Sequence, residues 1–283
     1  MSDIVFGVME VKAVRETDAA LMVHLQRESG STPTFVVADR ISAEARKTLS
    51  EAGIAWLDRR GHLWIKTEGV YVNAEVPRSA GPPPTRVVDV LSGTGFDVCL
   101  AILASPDTQI GVNELARKIG RSPGRVSEIL NALRHEGLVE GGNRPVVPDL
   151  FWDVADRWRP RWIPLSKEPR PEPVDRYRLS GTVGAVALGA PIASGTSWPQ
   201  LYVADDDDVS LVATAYGASG GSTAAEIAVC PARYAFEPDL RGGERGGFLV
   251  ADHVVVALDL AQDKARGREV LEQWEPEGRR RVW

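Results

Sequence analysis

Four residues, Gly120 to Pro123, contain both the end of one helix and the start of the next. Glycine adopts the left-handed conformation that often ends a helix. Ser122 is a favourable N-cap, and a proline is tolerated at the first helical position because its missing N–H has no partner there. The chain is therefore expected to turn sharply between two helices at this point.

The segments on either side of this turn have the apolar spacing of two short α-helices. Residues 113–119 are predicted to form the first helix, with apolar side chains on one stripe. In the second helix the apolar residues recur at i, i+3, i+4 and i+7, which places them on one face. They are Val126, Ile129, Leu130 and Leu133. Gly137 is predicted to end this helix.

A short β-hairpin is expected after the second helix. Leu138-Val139 and Val146-Val147 flank the turn 141–145, which contains Arg144. The largely apolar residues 86–104 are predicted to supply the remaining core helix. Over residues 96–150 this arrangement resembles the MarR and related winged-helix regulators. The resemblance implies a second helix that enters the major groove of double-stranded DNA, with an arginine in the wing reaching a phosphate or the minor groove.

Polar side chains on the far face of the second helix are the candidates for DNA contact. Arg125, Ser127, Glu128 and Asn131 are expected to meet base edges. Arg121, Arg134 and Arg144 are expected to meet phosphate or the minor groove. The full set of predicted DNA-binding residues is Lys118, Arg121, Ser122, Arg125, Ser127, Glu128, Asn131, Arg134 and Arg144.

Charge is distributed unevenly along the chain. Residues 110–145 contain six Lys or Arg and four Asp or Glu, whereas the whole chain has a formal net charge of −6. Residues 181–283 contain nine basic and fifteen acidic residues. A general polyanion binder is therefore disfavoured. We expect DNA to be bound through a local patch that is doubled in a homodimer.

The N-terminal part, 1–78, is predicted to be a small α/β domain. It alternates a helix at 13–26, a strand at 34–38, a helix at 42–52 and strands at 54–58, 62–66 and 70–73. Three consecutive prolines in the segment 78–84 predict a linker, because they fit neither a helix nor a central strand.

The run from Val36 to Lys66 resembles the restriction-endonuclease-like fold. That resemblance implies an acid at Asp58 and a lysine at Lys66, but the expected second carboxylate is replaced by Trp64. A divalent metal would then be poorly held. The domain is predicted to be catalytically inactive and to serve as a dimerisation or scaffold module, with Asp58 and Arg60 in surface ion pairs.

Between the hairpin and a second linker at 167–173, residues 149–162 contain Trp152, Trp158 and Trp162. Aromatic residues among arginines can stack on bases. We favour instead an amphipathic helix whose tryptophans dock against neighbouring protein.

The C-terminal segment, 174–283, resembles a nucleotidyltransferase-like α/β fold. Gly181-Thr182 follows its first strand, but the next strand carries Gln200 and Tyr202 where active members have metal-binding aspartates. The acidic run 205–208 is predicted to be a solvated turn, and the glycine-rich segment 217–222 a flexible loop without the lysine of a phosphate-binding loop. The last residues, Arg279 to Trp283, form a basic tail that could touch DNA but is expected to be solvated.

The predicted fold class is therefore α/β with a winged helix, in three domains at 1–78, 86–165 and 174–283. This order resembles the AbiEi-type antitoxin and transcriptional regulators of bacteria, which implies a DNA-binding repressor with a toxin or regulatory protein as a possible partner. The alternatives are a metal-dependent nuclease, a nucleotidyltransferase and a protein-interaction hub. The chain is not expected to be an enzyme, and neither a cofactor nor a metal is predicted.

The remaining sequence features concern the cellular setting. Cys99 and Cys230 lie in apolar surroundings and are predicted to be buried thiols in a reducing compartment. The N-terminus lacks the features of a signal peptide, and no apolar run is long enough to span a bilayer. A cytoplasmic protein with no membrane partner is therefore expected.

Overall fold

In the computed structural model the chain is mixed α/β and divides into two units, residues 1–87 and 88–283. The structure describes residues 7–10, 34–38, 41, 43–58, 61–67, 69–76, 90–192, 197–217, 222–238, 240–263 and 265–283. The predicted helix at 13–26, the linker at 78–84, Arg60 and most of the 217–222 loop lie outside these residues.

The first unit contains a five-stranded sheet in sequential order. Its strands are β1 (Gly7–Glu10), β2 (Thr34–Ala38), β3 (Ala55–Asp58), β4 (His62–Thr67) and β5 (Val70–Glu75). β1, β2 and β3 run parallel, and β4 and β5 continue as an antiparallel meander. Helix α1 (Ala43–Glu51) connects β2 to β3, as parallel strands require a crossover. β1 was not expected from the sequence.

The second unit begins with a group of helices around a short hairpin. The helices are α2 (Thr94–Leu103), α3 (Val112–Lys118), α4 (Pro123–His135) and, after the hairpin, α5 (Asp149–Ala155). The hairpin strands are β6 (Val139–Glu140) and β7 (Arg144–Pro145). The turn between them is a three-residue 3-10 helix, Gly141–Asn143, which is shorter than the predicted turn at 141–145. The return strand therefore begins at Arg144, two residues before the predicted Val146-Val147.

A six-stranded mixed sheet forms the rest of this unit. Its order is β12-β13-β9-β10-β11-β8, from β8 (Ile163–Leu165), β9 (Arg178–Ser180), β10 (Gln200–Val203), β11 (Ala225–Val229), β12 (Arg241–Arg245) and β13 (Phe248–Ala251). Its helices are α6 (Gly181–Ala187), α7 (Asp206–Tyr216), α8 (His253–Leu260) and α9 (Gly267–Gln273).

One hydrophobic core joins the helical part to one face of this sheet. Helix α2 is buried along most of its length, and its core is continuous with that of α8 and with Tyr202 on β10. Trp158, just after α5, is fully buried in the same cluster. Where the sequence predicts separate domains at 86–165 and 174–283, the structure thus has one compact unit, because each part covers apolar surface of the other.

Two C-terminal segments differ from expectation. The acidic run is not a solvated turn: Asp205 caps α7 and the next three aspartates form its first turn, where the helix dipole favours negative charge. The last residues are not merely solvated either. Val282 is buried, and Trp283 is only 8% exposed, because its ring packs near Phe151 and Trp274.

Candidate nucleic-acid interface

Local sequence signals explain the geometry of the helix-turn-helix, formed by α3, the turn and α4. Gly120 and Gly137 have φ values of 63° and 66°, so both adopt the left-handed conformation that glycine permits. The Oγ of Ser122 accepts a hydrogen bond from the backbone N–H of Arg125 at 3.4 Å, which caps α4. Ser122 is exposed, and its hydroxyl oxygen is engaged by the helix end.

Helix α4 has one apolar face in the core and one polar face in solvent. The four predicted apolar residues of α4 are fully buried. Because residues recur every 3.6 positions, the opposite face carries Gly124, Glu128, Asn131 and His135, all exposed. Ser127 lies at the margin of this face and is half-buried. His135, whose side chain is 81% exposed, was missed by sequence reasoning because it lies in the last turn.

Two side-chain pairs organise the polar face. Nη1 of Arg125 lies 2.7 Å from Oε2 of Glu128, one helical turn away. Nη1 of Arg134 donates to Oδ1 of Asn131 at 2.6 Å. Arg125, Glu128 and Asn131 can each form hydrogen bonds with base edges. The pairs hold these side chains in defined positions on the surface.

Arg134 also connects α4 to the hairpin. Its Nη2 donates to Oδ1 of Asn143, and Nδ2 of Asn143 donates to the carbonyl of Ile110 at 2.6 Å. Asn143 is buried and has a φ of 61°, a conformation that asparagine tolerates better than most residues. Arg134 was predicted to contact phosphate or the minor groove. In the structure it braces the hairpin against α4.

Arg144 lies on the outer side of the hairpin, with 43% of its side chain exposed. Its Nη2 is 3.3 Å from Oε1 of Glu140, the residue opposite it in the β6–β7 pair. An exposed pair of this kind contributes little stability. Arg144 can therefore exchange Glu140 for another anion at small cost.

Arg121 and Lys118 face the sheet half of the unit. The guanidinium of Arg121 bonds Oδ2 of Asp97, a buried residue of α2, and Oδ1 of Asp97 accepts from the backbone N–H of Tyr234 at 2.9 Å. Nζ of Lys118 lies 5.7 Å from the centre of the Tyr234 ring. Both predicted DNA-binding cations are thus engaged with the protein around the 3-10 helix Arg233–Phe236.

A polar cluster forms the junction between the helical part and the sheet. The carboxylate of Asp259, on α8, accepts hydrogen bonds from Tyr202 OH at 2.5 Å, from Trp158 Nε1 at 2.9 Å and from Ser180 Oγ. Burial raises the pKa of Asp259 to about 6, and these hydrogen bonds oppose that rise. Trp158 is thus a docking residue, as predicted, but the helix expected over 149–162 ends at Ala155, so Trp158 and Trp162 lie beyond it. Trp152 and Trp162 pack partly buried against the same core.

The residues that resemble nuclease ligands do not form a site. Asp58 is fully buried, not in a surface ion pair, and its Oδ2 lies 2.5 Å from Nη2 of Arg46 and 3.1 Å from the backbone N of Ile41. Asp58 pairs with His62 across the β3–β4 hairpin, so Lys66 lies four residues farther along β4. At ~3.3 Å per residue, their backbones are roughly 13 Å apart. Asp58 therefore positions α1 and the backbone of Ile41.

The residues of the predicted nucleotidyltransferase-like segment that the structure describes also contain no set of metal ligands. Gln200 on β10 donates to Glu226 at 2.8 Å, and Tyr202 belongs to the Asp259 cluster. Oδ2 of Asp205 lies 3.6 Å from Nη2 of Arg233. Oδ1 of Asp208 lies 3.6 Å from Nε of Arg176. Across the described part of the chain, no three His, Cys, Asp or Glu side chains are grouped to hold a metal ion.

The two cysteines are free and buried, as predicted. Burial raises the pKa of both thiols above the usual range. Among the helices that the structure describes, none has the length and apolar content needed to cross a membrane.

No protein-family model, curated protein or solved structure matches this chain. The resemblances to AbiEi-type and MarR-type regulators therefore remain predictions from the sequence pattern.

Proposed function

We propose that this chain is a sequence-specific double-stranded DNA-binding regulator that uses α4 as its recognition helix. The proposal treats residues 90–155 as a winged helix, with the hairpin as its wing. The observation that carries it is the two-sided character of α4: one face is fully buried in the core, and the other presents Glu128, Asn131 and His135 to solvent on a rigid scaffold. Such a helix can enter a major groove without exposing apolar surface.

The charge pattern supports binding as a dimer. All five predicted cations have partners within the protein, and of these only Arg125 and Arg144 are paired with exposed carboxylates, which leaves few cations to meet phosphate in one copy. Two copies would double both the base contacts and the counterion release. The proposal therefore includes a homodimer on a two-fold symmetric site, acting as a repressor.

The enzyme alternatives have less support. Asp58 is engaged by Arg46, and Lys66 lies far along the neighbouring strand. The aspartates that begin α7 cap and stabilise that helix. We therefore propose that neither half of the chain is an enzyme. An antitoxin role would add a protein partner to the same DNA-binding activity.

The test is selection of genomic DNA fragments by the purified chain at two salt concentrations, followed by sequencing. A two-fold symmetric motif that persists at the higher salt supports the proposal. Binding that is lost uniformly with salt, with no motif, contradicts it, because backbone attraction alone has that behaviour.

Asn131→Ala provides the residue-level test on the selected motif. It removes one amide from the exposed face of α4 and is expected to weaken specific binding by about 1–3 kcal/mol, with little effect on non-specific binding. Gln273→Ala is the matched control, since it removes an exposed amide from α9. Equal affinities for the two variants would exclude Asn131 from base recognition.

A further inference from the structure

We propose that the basic C-terminal tail, residues 279–283, extends the DNA-binding surface beyond the hairpin, with Arg280 contacting the phosphate backbone beside Arg144. This inference rests on the proposed DNA-binding function and assigns a role to residues outside the helix-turn-helix.

The tail is held against the helical part by its last two residues. Val282 is 1% exposed. The indole Nε1 of Trp283 donates to the carbonyl of Leu271 at 2.7 Å, and its ring centre lies 5.7 Å from that of Phe151 on α5. Since α5 closely follows the hairpin, this anchor fixes the path of the chain past the hairpin. Arg280 is only two residues before Val282, so its position is restricted.

Arg280 lies at the same cleft as Arg144. The cleft has a volume of about 230 Å³ and is lined by both arginines, by Asp107 and Glu140, and by residues at the base of the hairpin. Arg280 pairs with Asp107, in the loop that precedes α3. The two guanidinium groups therefore border one surface, although 136 positions separate them in the sequence.

Both arginines are available to an external anion. The side chains of Arg280 and Arg144 are 53% and 43% exposed, and each is paired with an exposed or half-exposed carboxylate. Exposed ion pairs are weak, and a phosphate offers arginine a planar, two-point contact in their place. Arg281 is less exposed, at 37%, and lies away from this cleft, where it bonds Glu275 and the carbonyl of Glu272. Arg280 is therefore the tail arginine that lines the cleft beside Arg144.

The experiment measures binding of the full chain to its selected motif and to unrelated duplex DNA over a range of salt concentrations. Arg280→Ala is expected to weaken binding to both DNAs by a similar factor, about three- to tenfold, and to reduce the slope of log K against log salt by about 1. Arg280→Lys should restore most of the slope. Asp107→Asn removes the carboxylate that competes with phosphate for Arg280. It should therefore strengthen DNA binding more when it is introduced into the wild-type chain than when it is introduced into Arg280→Ala.

Arg245→Ala is the control, since it removes an exposed arginine from β12, at the far edge of the sheet. Suppose that wild type selects a motif and that the slope of log K against log salt is the same for Arg280→Ala and Arg245→Ala. The role of the tail is then overturned, while the DNA-binding proposal stands. If wild type selects no motif, both are overturned. Loss of motif binding alone, with an unchanged slope, would also contradict a phosphate contact.

Discussion

Arg121 and Asp97 form an ion pair in which Nη2 and Nε of the arginine lie 2.8 and 3.2 Å from the same carboxylate oxygen. Asp97 is buried on α2, and its other oxygen accepts the backbone N–H of Tyr234. One carboxylate thus connects the turn before α4 to the 3-10 helix Arg233–Phe236 in the sheet part of the unit. Arg121 is therefore a positioning residue for α4.

We expect Arg121→Ala to lower the free energy of unfolding by about 1.5–3 kcal/mol, because it leaves a buried carboxylate with fewer donors. Urea unfolding followed by circular dichroism measures this change. Arg117→Ala, at an exposed position on α3, is the control and should change the value by less than about 0.5 kcal/mol. Equal small effects for both variants would mean that the Asp97 pair does not stabilise the turn.

Arg125→Ala is expected to weaken binding to the selected motif by about 1–3 kcal/mol, because its guanidinium can make a two-point contact with a guanine. The free energy of unfolding should change by less than about 0.5 kcal/mol, since Arg125 forms an exposed pair with Glu128. Titration of labelled motif DNA and urea unfolding give the two values. Unchanged affinity would remove Arg125 from the set of base-reading residues.

The Asp259 cluster predicts a specific pH dependence of stability. Burial raises the pKa of Asp259 from 3.8 to about 6, so the folded state binds this proton more tightly than the unfolded state. The stabilisation of the folded state that comes from this tighter proton binding is therefore complete below about pH 4. It is lost as the pH rises through about 6. The difference between the two pKa values corresponds to about 3 kcal/mol.

The measurement is the difference in unfolding free energy between wild type and Asp259→Asn at several pH values, so that other titrating groups cancel. This difference should move in favour of wild type by about 2–3 kcal/mol on going from pH 7 to pH 4. A difference that stays constant with pH would show that the carboxylate titrates normally in the folded chain.

Asp58→Asn is expected to lower the free energy of unfolding of the N-terminal unit by about 2–3 kcal/mol. The reason is that Arg46 and the backbone N–H of Ile41 lose a charged partner. Hydrogen exchange of the peptides that cover residues 41–58 should report faster exchange in the variant. Lys66→Ala, at an exposed position of β4, should leave exchange unchanged. Metal-dependent DNA cleavage that disappears in both variants would instead restore the nuclease alternative.

The sequence predicted the helix-turn-helix well, because its signals are local. Ser122 and Pro123 begin α4, Gly137 ends it, and the apolar spacing of four residues defines its buried face. Each of these signals acts within about one turn of helix. The observed α4 therefore agrees with the predicted one, and the polar residues of its outer face could be named without a structure.

The roles of the arginines could not be predicted in the same way. Arg121, Arg134 and Arg144 look equivalent in the sequence, but their partners lie on other elements or across the hairpin. A guanidinium contacts whichever acceptor the fold brings near, and that acceptor can be distant in the chain. Only the structure separates arginines that position the helix from those that remain open to an anion.

By itself, the sequence determined the secondary structure around Gly120 and the polar face of α4, because helix caps and helical periodicity depend on near neighbours. The tertiary structure decided that the helical part and the sheet share one core, through Trp158 and Asp259. It also decided that Trp283 anchors the tail beside the hairpin. The Trp158–Asp259 and Phe151–Trp283 contacts join residues more than 100 positions apart, and only the packing of the whole unit brings them together.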